Sequence, residues 1–177
     1  MNTSESYEYS ARPLRIMVPI NANDDSRWGL QYAVRRQIEG ARLEVVLLNV
    51  GEPVTQWQVL RFRTQQEIAD FQARRAQAFI EDASRILFAG DIPFRGIFRQ
   101  GKIVFSILDA AEELICTEIV MPKPAPGVMK LFSRNIALNV QERKRSVHVV
   151  LVNHEGRPDR SAARHAKQSG LRLFRSY

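Results

Sequence analysis

The sequence predicts an α/β protein built on a doubly wound, five-stranded parallel sheet with helices on both faces. Three observations lead there. Five short, strongly apolar runs punctuate the chain, and stretches of helical period alternate with them. The alternation of strand and helix is sustained from one end to the other, which favours crossover connections and a parallel sheet over hairpins. At 177 residues with 45% hydrophobic and 25% charged side chains, the chain suits a single domain with one sizeable core.

The elements follow in order. LRIMVPI (Leu14–Ile20) reads as a buried strand. Asp24, Asp25 and Ser26 then offer helix N-cap chemistry, with Leu30, Ala33, Val34 and Ile38 at helical spacing up to Gly40. LEVVLLNV (Leu43–Val50) is a second buried strand, and a loop from Gly51 to Arg63 carries Trp57, to which the pattern assigns no role. Thr64 to Ala89 is a long helix with Ile68, Ala76, Phe79, Ala83 and Ile86 along one face, and Gly90 stands where a left-handed stop residue belongs.

Ile92 to Arg99 places Ile92, Phe94 and Phe98 on one side and Arg95 and Arg99 on the other; with Pro93 this suits an edge strand. Ile103 to Glu113 is a short helix, with Ile103, Ile107, Ala111 and Leu114 in register. Ile115–Met121 is a strand, Phe132–Arg143 a helix and Val147–Val152 a final strand. Residues 1–13 and 154–177 lack comparable periodicity and are expected to be mobile tails around a domain at 14–153.

Several function classes find no support. No apolar run approaches the roughly 20 residues that span a bilayer. The opening MNTSESYEYSARP is polar, without the apolar core of an export signal, so a cytoplasmic location is expected. The single Cys116 lies between apolar runs and reads as a buried, inert thiol. His148 alternates within the last strand, and His154 and His165 fall in or beside the tail. No His, Cys, Asp or Glu pair has metal-ligand spacing and Gly-x-Ser-x-Gly is absent, so no catalytic or metal residues are expected.

The net charge of +7 is unevenly placed. From His154 onward six Lys or Arg stand against Glu155 and Asp159, so the tail carries +4 and the rest +3. The basic residues are scattered and match no nucleic-acid motif, so a solvated tail is favoured; docking to a partner or polyanion is the alternative.

Read together, the runs resemble the universal stress protein family. RIMVPIN (Arg15–Asn21) resembles its opening strand, which usually ends Val-Pro-Val-Asp, and VVLLNV (Val45–Val50) its second strand. Gly101, the helix ILDAA (Ile107–Ala111) and the strand TEIVM (Thr117–Met121) resemble the family's Gly, Ile-x-x-x-Ala and Asp-Leu-Ile-Val-Met in the same order. SVHVV (Ser146–Val150) resembles the closing Pro-Val-Leu-Val-Val. The resemblance spans residues 14 to 152 and implies strand order 3-2-1-4-5. It also implies a stress-response or regulatory role without catalysis, and a ligand crevice at the carboxyl ends of the strands.

Nucleotide-binding members hold phosphate with Gly-x-x-Gly and a later Gly-Ser or Gly-Thr. In MPKPAPGVMKLFSRN (Met121–Asn135) these positions fall on Pro122, Ala125, Arg134 and Asn135. Glycines let backbone amides approach an anion, whereas proline has no N–H and fixes φ near −65°. Pro122, Pro124 and Pro126 thus remove three donors. The adenine-side Asp is replaced by Asn21, while Pro19, Val50 and Met121 match adenosine-contacting positions. The resemblance therefore implies a vestigial crevice that does not bind ATP in the family manner, and no cofactor. The alternative is an ATP or AMP switch in which Lys123, Lys130 and Arg134 replace the amides and Ser133 caps the following helix. Family members commonly dimerise through the last strand, here Val147, His148, Val149, Val150, Leu151 and Val152, so a homodimer is expected alongside an unidentified protein partner.

Overall fold

The structure is a computed structural model; it describes residues 13–55, 61, 63–124, 131–144 and 146–159, with the backbone alone for 131–135. Five strands, β1 (Leu14–Pro19), β2 (Leu43–Gly51), β3 (Phe94–Gln100), β4 (Glu118–Pro122) and β5 (His148–Val152), form one sheet. All pairings are parallel and the order is β3-β2-β1-β4-β5, as expected. The helices are α1 (Trp28–Ile38), α2 (Gln65–Ala89), α3 (Ile103–Glu113) and α4 (Leu131–Arg143).

Alternate side chains of the strands feed two separate cores. Ile16, Val18, Val45, Leu47, Val120 and Val150 meet Leu30 and Ala33 of α1 and Ile80, Ala83 and Leu87 of α2. Met17, Val46, Leu48, Ile119 and Leu151 meet Ile107 and Ala111 of α3 and Ala137 and Val140 of α4. Because both faces are covered, the central strands read as unbroken apolar runs. β3 is an edge strand with two arginines, as Pro93 and the charge pattern predict.

Thr64 starts α2 by accepting the Glu67 N–H, while the Glu67 carboxylate accepts the Thr64 N–H, a reciprocal capping box. Gly29 is required where α1 crosses the sheet: a Cβ there would lie 2.7 Å from Val18 Cγ1.

Several expected details differ. Asp24, Asp25 and Ser26 do not cap α1 with a side chain; Asp24–Arg27 form a 3₁₀ turn leading into Trp28. Ile38 is 80% exposed, because nine residues on from the buried Gly29 the helix has turned two and a half times and faces the other way. The buried face of α2 runs through Ala76, Ile80, Ala83 and Leu87, leaving Phe79 and Ile86 half-buried beside it. Gly90 is not left-handed (φ −91°); Asp91 takes that conformation at φ 52°. The fourth strand starts at Glu118, not Ile115. Ile115 sits at φ 52°, 73% exposed, in the turn that closes α3 through Cys116 N–H to Ala111 O.

Of the expected C-terminal tail, residues 154–159 fold back on the sheet edge. Asn153 Oδ1 accepts the N–H groups of Glu155 and Arg157, and Gly156 adopts φ 69° against α1. Val152 then pairs antiparallel with Pro158, and the Asp159 N–H donates to Leu151 O at 2.8 Å. Residues 1–12, Trp57 and residues 160–177 lie outside the described residues.

Candidate functional site: the crevice at the strand carboxyl ends

In a sheet of this order, β1 and β4 diverge at their carboxyl ends, and the connections after them leave on opposite faces. A crevice opens there. The described residues bring Pro19, Asn21, Val50 and Met121 together in it, as the pattern predicts. Ile20, Ser26, Leu48, Ile103, Ile107, Pro122 and Ile136 complete the lining. The strand-end residues arrive through the sheet register: Pro19 pairs with Leu48, and Met121 with Leu151. Ile103, Ile107 and Ile136 come from α3 and α4, which the sequence marks only as apolar periodicity.

The walls enclose only about 70 Å³. Small-molecule sites run to roughly 300–1,000 Å³, so this space accommodates little more than a water or two. No lining residue among those described carries a charge, and the two polar side chains are already engaged. Asn21 Oδ1 accepts the Asn23 N–H at 2.7 Å, folding the β1–α1 connection over itself. Ser26, buried, donates its hydroxyl to Asn23 O at 2.7 Å. Below them the buried Asn49 amide donates to Ile20 O at 2.7 Å, tying β2 to the end of β1. Asn49 does not stand out in the sequence: it sits in an ordinary strand, and only the approach of a segment 29 residues away gives it a partner, whereas Ser26, a helix-cap candidate in the sequence, bonds locally to Asn23 and Asn21.

Lys123, a candidate phosphate contact, is used elsewhere. Its N–H donates to Val152 O, extending the β4–β5 ladder, and its ammonium lies 2.6 Å from the Asp159 carboxylate of the folded-back turn. Lys130 lies outside the described residues, and Ser133, Arg134 and Asn135 are placed by backbone only, in the first turn of α4.

The expected dimer strand is an edge of the sheet, but its side chains belong to the cores. Val147, Val149, Val150, Leu151 and Val152 are all buried within one chain, and only His148 is exposed. On its outer edge Leu151 O and the Asn153 N–H are bonded to the returning turn, and among the described residues the outward backbone of Val149 has no such partner.

Cys116 is buried as expected; burial pushes its thiol up to about 11, against a smaller opposing effect of Arg15 and Arg95. Among the described residues no three His, Cys, Asp or Glu side chains group as a metal site, and no helix is long and apolar enough to cross a membrane.

No protein-family model matches the sequence, and no curated protein matches it. Solved structures do match by shape. Universal stress protein UspA from Lactobacillus plantarum superposes with a TM-score of 0.65 at 16% identity, over 80% of this chain and 98% of that one. A universal stress protein in complex with cAMP gives 0.56 at 13% identity, covering 80% and 98%. A universal stress protein family protein from Arabidopsis thaliana with AMP bound gives 0.55 at 11% identity, covering 80% and 92%. The order of the strands, the placement of the helices and this set of similar structures agree: the chain has the universal stress protein fold.

Proposed function

We propose that this protein is a non-catalytic regulatory module of the stress-response type, acting in the cytoplasm through protein contacts, with its crevice closed to nucleotides. The observation that carries the reading is the crevice itself: about 70 Å³ and, among the described residues, lined by neutral side chains, with Lys123 drawn away to Asp159. Similar structures hold AMP or cAMP, so the fold has room for a nucleotide when its walls allow it. Here Met121, Ile107, Ile103 and Ile136 occupy that end of the sheet, and Pro122, Pro124 and Pro126 replace amide donors along the following loop. A base entering would have to displace packed aliphatic groups, and its phosphates would find few backbone donors.

Methyl-resolved NMR tests this directly. Titration with ATP or AMP is expected to leave the Met121 and Ile107 methyl signals unmoved. Saturable, stoichiometric shifts at those methyls would establish the competing reading, a nucleotide switch with an altered phosphate loop. The module works as a homodimer, with the open part of the β5 edge around Val149 pairing with its equivalent in a second copy; an unpaired strand edge is a ready template for such pairing.

A further inference from the structure

The turn that folds back after β5 builds a second, larger cleft on the opposite face of the sheet from the crevice. It lies between the C-terminal half of α1 and residues 153–158 and encloses about 750 Å³, within the size range of small-molecule sites. Its lining carries Arg35, Arg36 and Arg157 against the single carboxylate of Glu39. We propose that this cleft binds a phosphate-bearing small molecule, gripped between Arg36 on α1 and Arg157 on the turn, with Arg35 beside them.

Arg36 is held in place from beneath. Its Nη1 donates to Tyr32 Oη at 2.8 Å, and the Tyr32 hydroxyl donates to Glu118 Oε2 at 2.9 Å. Tyr32 is buried and the Glu118 side chain nearly so, which makes a rigid base for one nitrogen of the guanidinium. Nε and Nη2 make no hydrogen bond among the described residues, so the fork keeps free donors. Burial, reinforced by the Glu118 carboxylate, pushes the phenol up to about 12, so the relay stays protonated at neutral pH.

Arg157 is placed with similar care. Two N–H bonds to Asn153 Oδ1 set the turn, and Gly156 presses so close to α1 that a Cβ would lie 2.4 Å from Tyr32 N. The present partners of the outer arginines are weak competitors. Arg157–Glu155 is an exposed pair, and Arg35–Glu39 is exposed and 3.7 Å apart; solvent screens such pairs, so they hold the arginines only weakly. Each of the three arginines has one carboxylate nearby, Glu39, Glu118 or Glu155, so the match to a phosphomonoester rests on the planar guanidinium forks, whose donors suit its oxygens. The α1 carbonyls at this end disfavour an anion, an effect the two arginines of the last turn offset.

The test is a titration of the full chain with inorganic phosphate, followed through backbone amide and arginine Nε–H signals. Saturable shifts are expected at Gly156, Arg157 and Arg36, weakened at least about tenfold in Arg157→Gln, which changes only an exposed side chain. Arg74→Gln, on the solvated face of α2, is expected to leave the affinity unchanged. No saturable shift at Gly156, equal shifts from sodium chloride at matched ionic strength, or equal affinity in Arg157→Gln would each overturn the proposal. These signals lie on the other face from Met121 and Ile107, so this test and the nucleotide titration succeed or fail separately.

Discussion

At the scale of single residues, two buried acids set how the fold responds to alkali. Cys116 is pushed up to about 11 and Tyr32 to about 12, in both cases first by burial. Both ionise more readily once unfolded, near their ordinary values of 9.0 and 10.0. Their contribution is therefore full below pH 9 and is lost as pH rises through 11 and 12. Denaturant midpoints measured across that range are expected to fall steadily, and a flat profile would contradict the burial. For the same reason Cys116 is expected to react with iodoacetamide at pH 8 far more slowly than in unfolded protein. At the start of α2, the Thr64 N–H and hydroxyl hold the Glu67 carboxyl below its usual value. The capping box is thus strongest above the carboxylate range and weakens as pH falls into it. Thr64→Ala is expected to lower stability by about 1 kcal/mol at neutral pH, with a smaller deficit in acid, measured by urea unfolding.

At the scale of elements, the turn at 153–159 governs the outer edge of β5. Gly156 at φ 69° cannot accept a side chain against Tyr32 N without strain, which costs on the order of 1–3 kcal/mol at such positions. Gly156→Ala is expected to loosen the turn while leaving the two cores intact. The readout is amide exchange at Asp159, whose N–H is bonded to Leu151 O: it should speed up while Val46 and Val120 stay protected. Unchanged exchange at Asp159 would mean that the turn is not held by this contact. At the crevice, Leu48 serves both floor and core; Leu48→Ala is expected to cost about 2–5 kcal/mol in unfolding free energy, as other buried leucines do.

At the scale of the whole molecule, the returning turn narrows the route to a dimer. Val147 and the four apolar residues of the last strand suggest a sticky surface, yet each packs inside its own chain, and the outward carbonyl of Leu151 is already bonded. Pairing between copies then rests on the backbone around Val149. Sedimentation at micromolar concentration is expected to show a dimer; a monomer throughout would remove that part of the proposed function.

Much of this was legible in the residues. Four apolar runs and one alternating run, separated by helical periods, specify a parallel sheet, because strands buried on both faces need unbroken hydrophobicity and crossovers need helices. The edge character of β3 and the proline substitutions in the loop after β4 follow from local chemistry. Pro19, Asn21, Val50 and Met121 are assigned to one crevice by the family resemblance, and strand ends that converge where the sheet reverses its order bring them together. What only the tertiary structure decided depends on groups far apart in the chain. Sequence spacing does not show that the Asn49 amide ties β2 to the Ile20 carbonyl, that Lys123 turns to Asp159, or that Tyr32, Arg36 and Glu118 stack beneath a cleft. Nor does composition show that residues 154–159, polar and without period, pack on α1 and finish the sheet. A turn held by one asparagine side chain and one left-handed glycine leaves no repeating pattern, and its partners exist only once the sheet and α1 have come together.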